Sequence, residues 1–298
     1  MTPQELNDLK KAGKIAGKAL AFGKGLIVPG ASLLEVTEKI EEFIHKEGGE
    51  LAFPVNISCN EYAAHYTAKK DDEFKFGKEI VKLDVGVQVN GFVGDTACTI
   101  DLSGKHKALV EASVKALDKA ITLVMPGLEL CEIGKAIDAE ITKAGFKPIR
   151  NLSGHGLAQY HTHSAPTIPN FNNNDDTKLE EGMVIAIEPF ATDGAGLIHE
   201  TKNPEIFNIN EFRAVRINFV RDVMKYIEKK YKNLPFSKRE LLLKFTEPQV
   251  NYSLKQFREL GMLEEYTPLI EKNNGMVSQA EHTLLVTKNG CEVLTKAQ

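Results

Sequence analysis

The sequence predicts an α+β fold of two similar halves, with a helical segment inserted late in the second half. Three observations predict it. A pair of amphipathic helices occurs twice, strands follow each copy, and a charged stretch of helical spacing separates the last strands.

Residues 18–48 read KALAFGKGLIVPGASLLEVTEKIEEFIHKEG, and residues 115–145 read KALDKAITLVMPGLELCEIGKAIDAEITKAG. Laid over each other without a gap, they share about a dozen identities, far more than segments this short share by chance. Pro29-Gly30 falls on Pro126-Gly127, Leu33 on Leu130, Glu35 on Glu132, Ile40 on Ile137 and Ile44 on Ile141. Each copy reads as a helix, a Pro-Gly turn and a second helix closed by glycine. Leu33, Val36, Ile40 and Ile44 recur at helical spacing and form one apolar stripe. Two copies with long strands between them are too few for a solenoid, so the pattern indicates two half-domains packed around a shared core.

Strands follow each copy. Residues 79–100, EIVKLDVGVQVNGFVGDTACTI, read as a hairpin around Asn90-Gly91, the strongest short-range hairpin signal. Residues 182–190 and 279–287 alternate apolar and polar side chains as half-buried strands do, and the second turns at Asn289-Gly290 into a short final strand. Between these two lie residues 205–268, rich in Lys, Arg and Glu, with helical spacing in RINFVRDVMKYIEKKYKNL and SLKQFRELGML. They read as a small helical subdomain inserted into a surface loop, where added length is tolerated. Its basic residues fit a solvated helical face better than a contact surface.

Composition excludes several classes. With 37 basic and 41 acidic side chains in 298 residues, the net charge of -4 is too mild for a nucleic-acid or membrane surface. Apolar stretches such as residues 120–125 fall far short of a bilayer span, and the N-terminus lacks the apolar core of a signal peptide. Cys59, Cys98, Cys131 and Cys291 stand far apart with no CxxC pair, as expected for reduced thiols of a cytoplasmic protein.

The hairpin carries two aspartates. With Asn90-Gly91 as a two-residue loop, Val89 faces Phe92 and Asp84 faces Ala97. Asp95 is two residues from Ala97 and so shares a face with Asp84. Diagonal neighbours in a sheet have α-carbons about 7–8 Å apart. Carboxylates at that separation can hold two metal ions about 3.5–4 Å apart. The alternative is a solvent face with both acids free in water. Gly86, Ala97 and Thr99 on the same face leave room for a ligand, but the hairpin alone leaves both readings open.

Three further residues stand in odd settings. His155 lies in Ser153-Gly154-His155-Gly156, where glycines permit close backbone approach. Glu188 interrupts the apolar run of residues 183–187, and Glu281 opens the strand EHTLLV. Each alone reads as an ordinary satisfied polar residue. Together, four carboxylates and one imidazole suit a pair of harder divalent ions such as Mn, Fe or Co better than a thiolate zinc site.

The segments KLDVGVQVNGFVGDTACT, SGHGLAQYHTHSAPTIPNF, MVIAIEPFAT and AEHTLLVTKNG resemble the methionine aminopeptidases, along nearly the whole chain. The resemblance implies a pita-bread fold, in which two pseudo-symmetric halves share a curved antiparallel sheet covered by helices. It makes residues 1–298 one catalytic domain. The helical insertion is similar to that of the type II class, and the short N-terminus to that of archaeal members. Carried over position by position, the metal ligands are Asp84, Asp95, His155, Glu188 and Glu281. The substrate histidines are His65, in the Phe53-Pro54 to Ala63-Ala64-His65-Tyr66 motif, and His163. Thr162 departs from the apolar residue that some type II relatives place beside the second histidine.

The activity this resemblance implies is hydrolysis of the first peptide bond of nascent chains, releasing the initiator methionine where the second residue is small. The cofactor is two divalent metal ions per chain, with Co, Mn, Fe, Zn and Ni all open. Glu188 moves the proton of the attacking water, His163 stabilises the oxyanion, His65 contacts the scissile amide, and Phe53 lines the methionine pocket. A monomer is expected, with transient ribosome association and neither nucleic-acid nor membrane binding. A prolidase-like enzyme is the first rival, but such chains usually carry an additional N-terminal domain. A non-catalytic binding protein on the same fold is the second, and such relatives have lost ligands that all remain here. Of the other histidines, His45 and His106 read as solvated, His161 as a strand neighbour and His282 as facing away from Glu281. His199 is left open as a further pocket contact.

Overall fold

The computed structural model describes residues 1–296. The repeat forms two antiparallel helix pairs, α1 (Pro3–Leu26) with α2 (Leu33–Lys46), and α3 (Lys107–Ile121) with α4 (Leu130–Lys143). Thr2 and Glu5 close a capping box at the start of α1, and the Ser32 hydroxyl caps α2. The predicted stripe of α2 is buried in full, as are Leu130, Ile133, Ile137 and Ile141 of α4. Burial of each such side chain is worth about 1.5–3 kcal/mol. No helix among the described residues is long and apolar enough to cross a membrane.

In the first half, Ile80–Val89 pairs along its length with Phe92–Asp101, and its other edge takes Glu50–Leu51 and Asn56–Cys59. In the second half a five-stranded sheet runs in the order Gly290–Val293, His282–Thr287, Val184–Ile187, Ser153–Ala158, His161–Pro169. All of these pairings are antiparallel. The two long strands read from the sequence are each interrupted: Val184–Ile187 is followed by Phe190–Thr192, and Val277–Gln279 by His282–Thr287. Glu188 and Glu281 occupy the two breaks, so Glu281 precedes its strand rather than opening it.

The halves do not share one core. Residues of α1, α2 and the first hairpin bury one apolar cluster, including Ile40, Val55 and Leu83, and residues of α3, α4 and the five-stranded sheet bury another, including Ile137, Ile185 and Leu284. Between them runs a polar seam. Glu281 N–H donates to Ala97 O at 3.0 Å, Thr96 Oγ1 to Glu281 O at 2.8 Å, Asp95 N–H to Thr283 Oγ1 at 2.8 Å and Gln279 N–H to Thr99 Oγ1 at 2.8 Å. The physical reason is local: threonine hydroxyls and free backbone groups on the facing strands cannot be buried without partners, and each half supplies them to the other.

The late charged stretch is only partly helical. It contains α5 (Asn218–Lys230), α6 (Lys238–Leu242) and α7 (Glu247–Glu259), and also a sheet of Phe236–Ser237, Ile206–Ile209 and Leu263–Tyr266. Strands of two to four residues are too short for a period-2 pattern to register. This stretch buries its own cluster, including Val223, Phe236 and Phe257. Buried Arg239 forms an ion pair with Glu41 of α2, which fastens the stretch to the first half.

Candidate metal centre

The hairpin register is as the two-residue loop requires: Val89 opposite Phe92, Asp84 opposite Ala97 and Gly86 opposite Asp95. Asp84 and Asp95 therefore lie diagonally on one face. Asp95 is only 3% exposed, and one oxygen of each carboxylate, Oδ1, is buried without a hydrogen-bond partner.

His155 reaches the same point from the second half. Its strand, Ser153–Ala158, pairs with both His161–Pro169 and Val184–Ile187. A Cβ on Gly154 would collide with the Ala186 carbonyl, and one on Gly156 with the Ala165 carbonyl, so only glycine on both sides lets the strand pass. The ring Nδ1 lies 3.2 Å from Gly156 O. A carbonyl only accepts, so Nδ1 carries the proton and Nε2 presents its lone pair, the arrangement of a metal-binding imidazole. That Nε2 stands 3.8 Å from Asp95 Oδ2 and 3.6 Å from Glu188 Oε1. Asp95, His155 and Glu281 each bring a donor atom within 4.8 Å of the others.

Charge tells the same story. Burial first, then the neighbouring carboxylates, hold Asp95, Glu188 and Glu281 well above the usual carboxylate range, and burial raises Asp84 to about 7. Burial, with neighbouring His163 adding, lowers His155 to about 3, so it cannot serve as their counter-ion. Among the described residues no lysine or arginine pairs with any of the four acids. Buried carboxylates in such number need a cation. Unpartnered carboxylate oxygens, a free imidazole lone pair and an oxygen-rich donor set fit divalent ions.

The centre forms the floor of a cleft of about 530 Å³. His65 ends the strand Tyr62–Ala64 with φ 61°, which turns it out of the strand. Its ring meets Tyr266 edge-on at 5.4 Å, and His163 meets His155 edge-on at 4.6 Å. Burial lowers His65 to about 4, with His163 adding, and burial lowers His163 as well, although that residue stands more open in the cleft wall. Both rings are thus neutral near pH 7, each offering one N–H. Phe53, 9% exposed, packs its ring where a Cβ on Gly86 would sit, and Thr162 is buried in the same wall.

The remaining histidines lie elsewhere. His199 is exposed on Ile198–Glu200, opposite Ile270, and does not line the cleft. A β-strand with its ring on the outer face accounts for this: three residues after Gly196 the chain has left the site. His282 points away from Glu281, its Nδ1 2.8 Å from Thr295 Oγ1. His161 is exposed with Asn233 Nδ2 at 3.3 Å, His45 pairs with Glu50 at 3.3 Å, and His106 is half-buried at the start of α3.

Sequence reasoning missed three residues. Gln279, 1% exposed, donates from Nε2 to Glu281 Oε2 at 3.3 Å and Glu188 Oε2 at 3.4 Å. Its spacing of two from Glu281 was the available signal. Tyr266 and its neighbour Ile206, on the small sheet of the charged stretch, line the cleft beside His65. Nothing in the local sequence marks them, because their place depends on how that stretch folds back.

A fold of paired helix–strand halves with a carboxylate and imidazole centre at their seam defines a metallopeptidase, and the chain belongs to metallopeptidase family M24, whose profile matches residues 7–288. Within it the chain is similar to methionine aminopeptidases: that of Archaeoglobus fulgidus is 46% identical over 290 residues, 97% of each chain. The solved methionine aminopeptidase of Thermotoga maritima superposes with a TM-score of 0.73 at 25% identity, covering 99% of this chain and 98% of that one. A thermophilic Arx1 superposes with a TM-score of 0.86 at 18% identity over 100% and 92% of the two chains, a likeness of fold.

Proposed function

We propose that this chain removes the N-terminal methionine of newly made proteins by hydrolysing their first peptide bond, using two divalent ions held by Asp84, Asp95, His155, Glu188 and Glu281. The observation that carries the reading is the convergence of these donors on the floor of a cleft whose walls present His65 and His163. The names of the relatives support the choice of methionine. Bound there, a pair of divalent ions supplies Lewis acidity to the scissile carbonyl and acidifies water near neutral pH.

The protein's own residues do the rest. Glu188, on the open side of the floor, takes the proton of the attacking water and returns it to the leaving amine. His163 donates its N–H to the developing oxyanion, and His65, whose ring packs on the same Tyr266, contacts the scissile amide and helps its nitrogen leave. Gln279 holds the second oxygens of Glu188 and Glu281, which fixes the direction in which the other oxygens point. Phe53 and Tyr266 bound an apolar recess, and a flexible thioether side chain fills such a space well. Residues 1–298 act as one catalytic domain, with 205–268 as an insertion that contributes Ile206 and Tyr266 to the cleft wall. The expected setting is the cytoplasm, as a monomer that meets the ribosome transiently.

The test is peptide cleavage by protein reconstituted with Co, Mn, Fe, Zn or Ni in turn. Peptides beginning Met-Gly, Met-Ala or Met-Ser should lose methionine, while Met-Lys, Met-Arg and Met-Trp peptides should not, since a bounded cleft excludes bulk at the second residue. Equal turnover of both sets would make the chain a broad aminopeptidase, and preference for Pro-containing peptides would make it prolidase-like.

A further inference from the structure

A second cavity, of about 170 Å³, adjoins the segment that carries His65. It equals the liquid volume of about five or six waters. Tyr62, Tyr66 and Phe74 line it with the carboxylates of Glu61 and Glu79, over a floor at Leu33. The Tyr62 and Tyr66 rings have centroids 5.2 Å apart and planes at 70°, forming two walls of a corner. Phe74 is buttressed edge-on by Phe76 at 5.8 Å. Backbone bonds hold this wall: Leu33 N–H donates to Phe74 O at 3.0 Å, Gly30 N–H to Phe76 O at 2.6 Å and Phe76 N–H to Ala31 O at 3.0 Å.

The charged side chains that line this cavity are acidic. No lysine or arginine lines it. Glu79 uses one oxygen to accept from Gly77 N–H at 2.5 Å. Lys82, the buried cation nearby, spends its ammonium on the Asn60 carbonyl at 2.7 Å and does not line the cavity. Burial pushes the Cys59 thiol up to about 12, with Lys82 opposing and Glu79 and Glu61 adding to the shift. Aromatic faces with unpaired carboxylates and no internal cation are what an alkylated ammonium ion requires, since its methyl groups seek ring faces and its charge seeks acids.

We propose that Tyr62, Tyr66, Phe74, Glu61 and Glu79 form a preformed cage for a methylated ammonium head group, a site separate from the metal centre. Strand Tyr62–Ala64 lies between cage and cleft, since Tyr62 lines the cage while Ala64 and His65 line the cleft. The head group has two sources, a free quaternary amine or a trimethylated lysine of a protein, and the experiment separates them.

Choline and a short trimethyllysine peptide are titrated into the full chain, with binding read by saturation-transfer NMR on the methyl protons. Dimethylbutanol, the uncharged carbon isostere of choline, and the unmethylated peptide are the controls. Saturable binding of choline or of the methylated peptide is expected, with the isostere about 10-fold weaker or more. The tighter of the two ligands assigns the source. Tyr66→Ala and the double change Glu61→Gln with Glu79→Gln should each weaken binding about 10-fold, while Tyr66→Phe retains it. Phe74→Leu, at an exposed position, gives a second reading should Tyr66→Ala not fold. Equal binding of the isostere, choline affinity unchanged in folded Tyr66→Ala, Phe74→Leu or the double glutamine variant, or no saturable binding of either cation would overturn the proposal.

Discussion

In the first half the two aspartates sit inside an unbroken hairpin, whereas in the second half the two glutamates sit where a pair of strands is interrupted. The halves are otherwise built alike. Each has a helix pair over two antiparallel strands, each brings two acids to the cleft, and each half buries its own apolar cluster. In the hairpin, ten consecutive pairings hold Asp84 and Asp95, so the backbone ladder sets their direction. In the second half, Ile187 pairs with His282 and Phe190 with Gln279, leaving the residues between them outside the ladder. There the aim of Glu188 and Glu281 depends on side chains, chiefly the amide of Gln279. The comparison teaches that a buried acid can be placed by ladder or by hydrogen bond, and that the two devices fail differently.

The largest expected effect comes from the ladder-held pair. Asp84→Asn or Asp95→Asn removes an anionic donor without disturbing the strand, and should lower kcat/KM by roughly 10³-fold together with metal content. Full activity with two tightly held ions in either variant would sink the ligand assignment. Next come the cleft histidines, which belong to neither device. His65→Ala or His163→Ala should lower kcat by roughly 10²–10³-fold while metal stoichiometry stays intact. His155→Ala should behave otherwise and lose metal, because it deletes a donor atom. If His65→Ala loses its ions as His155→Ala does, this division is wrong.

Gln279→Leu sharpens the comparison directly. It keeps the volume and removes the amide, so metal affinity, measured by calorimetry, should fall about 10–100-fold. A change of less than twofold would mean that the breaks aim their glutamates without help. The same device recurs with a purely structural outcome at Glu271. Its carboxylate accepts from the N–H groups of Ala195, Gly196, Asn273 and Gly275, clasping two loops of the second half. Burial opposes its charge, but these bonds prevail and hold the carboxyl below its ordinary value. A lowered folded pKa stabilises above the ordinary value of 4.5, and that contribution is lost as pH falls through the folded value. Glu271→Gln should therefore cost about 2–3 kcal/mol near pH 7, with the gap from the parent chain narrowing below pH 4.5 in denaturant titrations. A pH-independent gap would show that the loss is one of packing.

The same contrast explains what the sequence disclosed. Asn90-Gly91 dictates hairpin register, and from it the shared face of Asp84 and Asp95 followed without a structure. The helix pairs were legible because stripes at helical spacing, along helices of 14 and 15 residues, repeat without a gap. Glu188 was legible as a misfit after an apolar run and Glu281 as an acid at a strand start, but both segments were read as continuous strands, although Pro189 beside Glu188 is a residue that a strand ladder avoids. The seam that replaces a shared core was hidden for a related reason: Thr96, Thr99 and Thr283 look like ordinary strand residues until their partners are known. Tyr266 was out of reach altogether, being two hundred residues from His65 and placed by three strands too short to leave a pattern.

On the proposed function, both halves contribute ligands to one two-ion centre that acts on N-terminal methionine. Its most direct test is to titrate the metal-free chain with manganese or cobalt, reading bound ions by equilibrium dialysis and cleavage of Met-Ala-Ser in the same samples. The account predicts two ions per chain, activity rising with their binding, and loss of both in Asp95→Asn from the first half and Glu281→Gln from the second. Two ions bound in either variant, or Met-Ala-Ser left intact by the fully loaded chain, would contradict it.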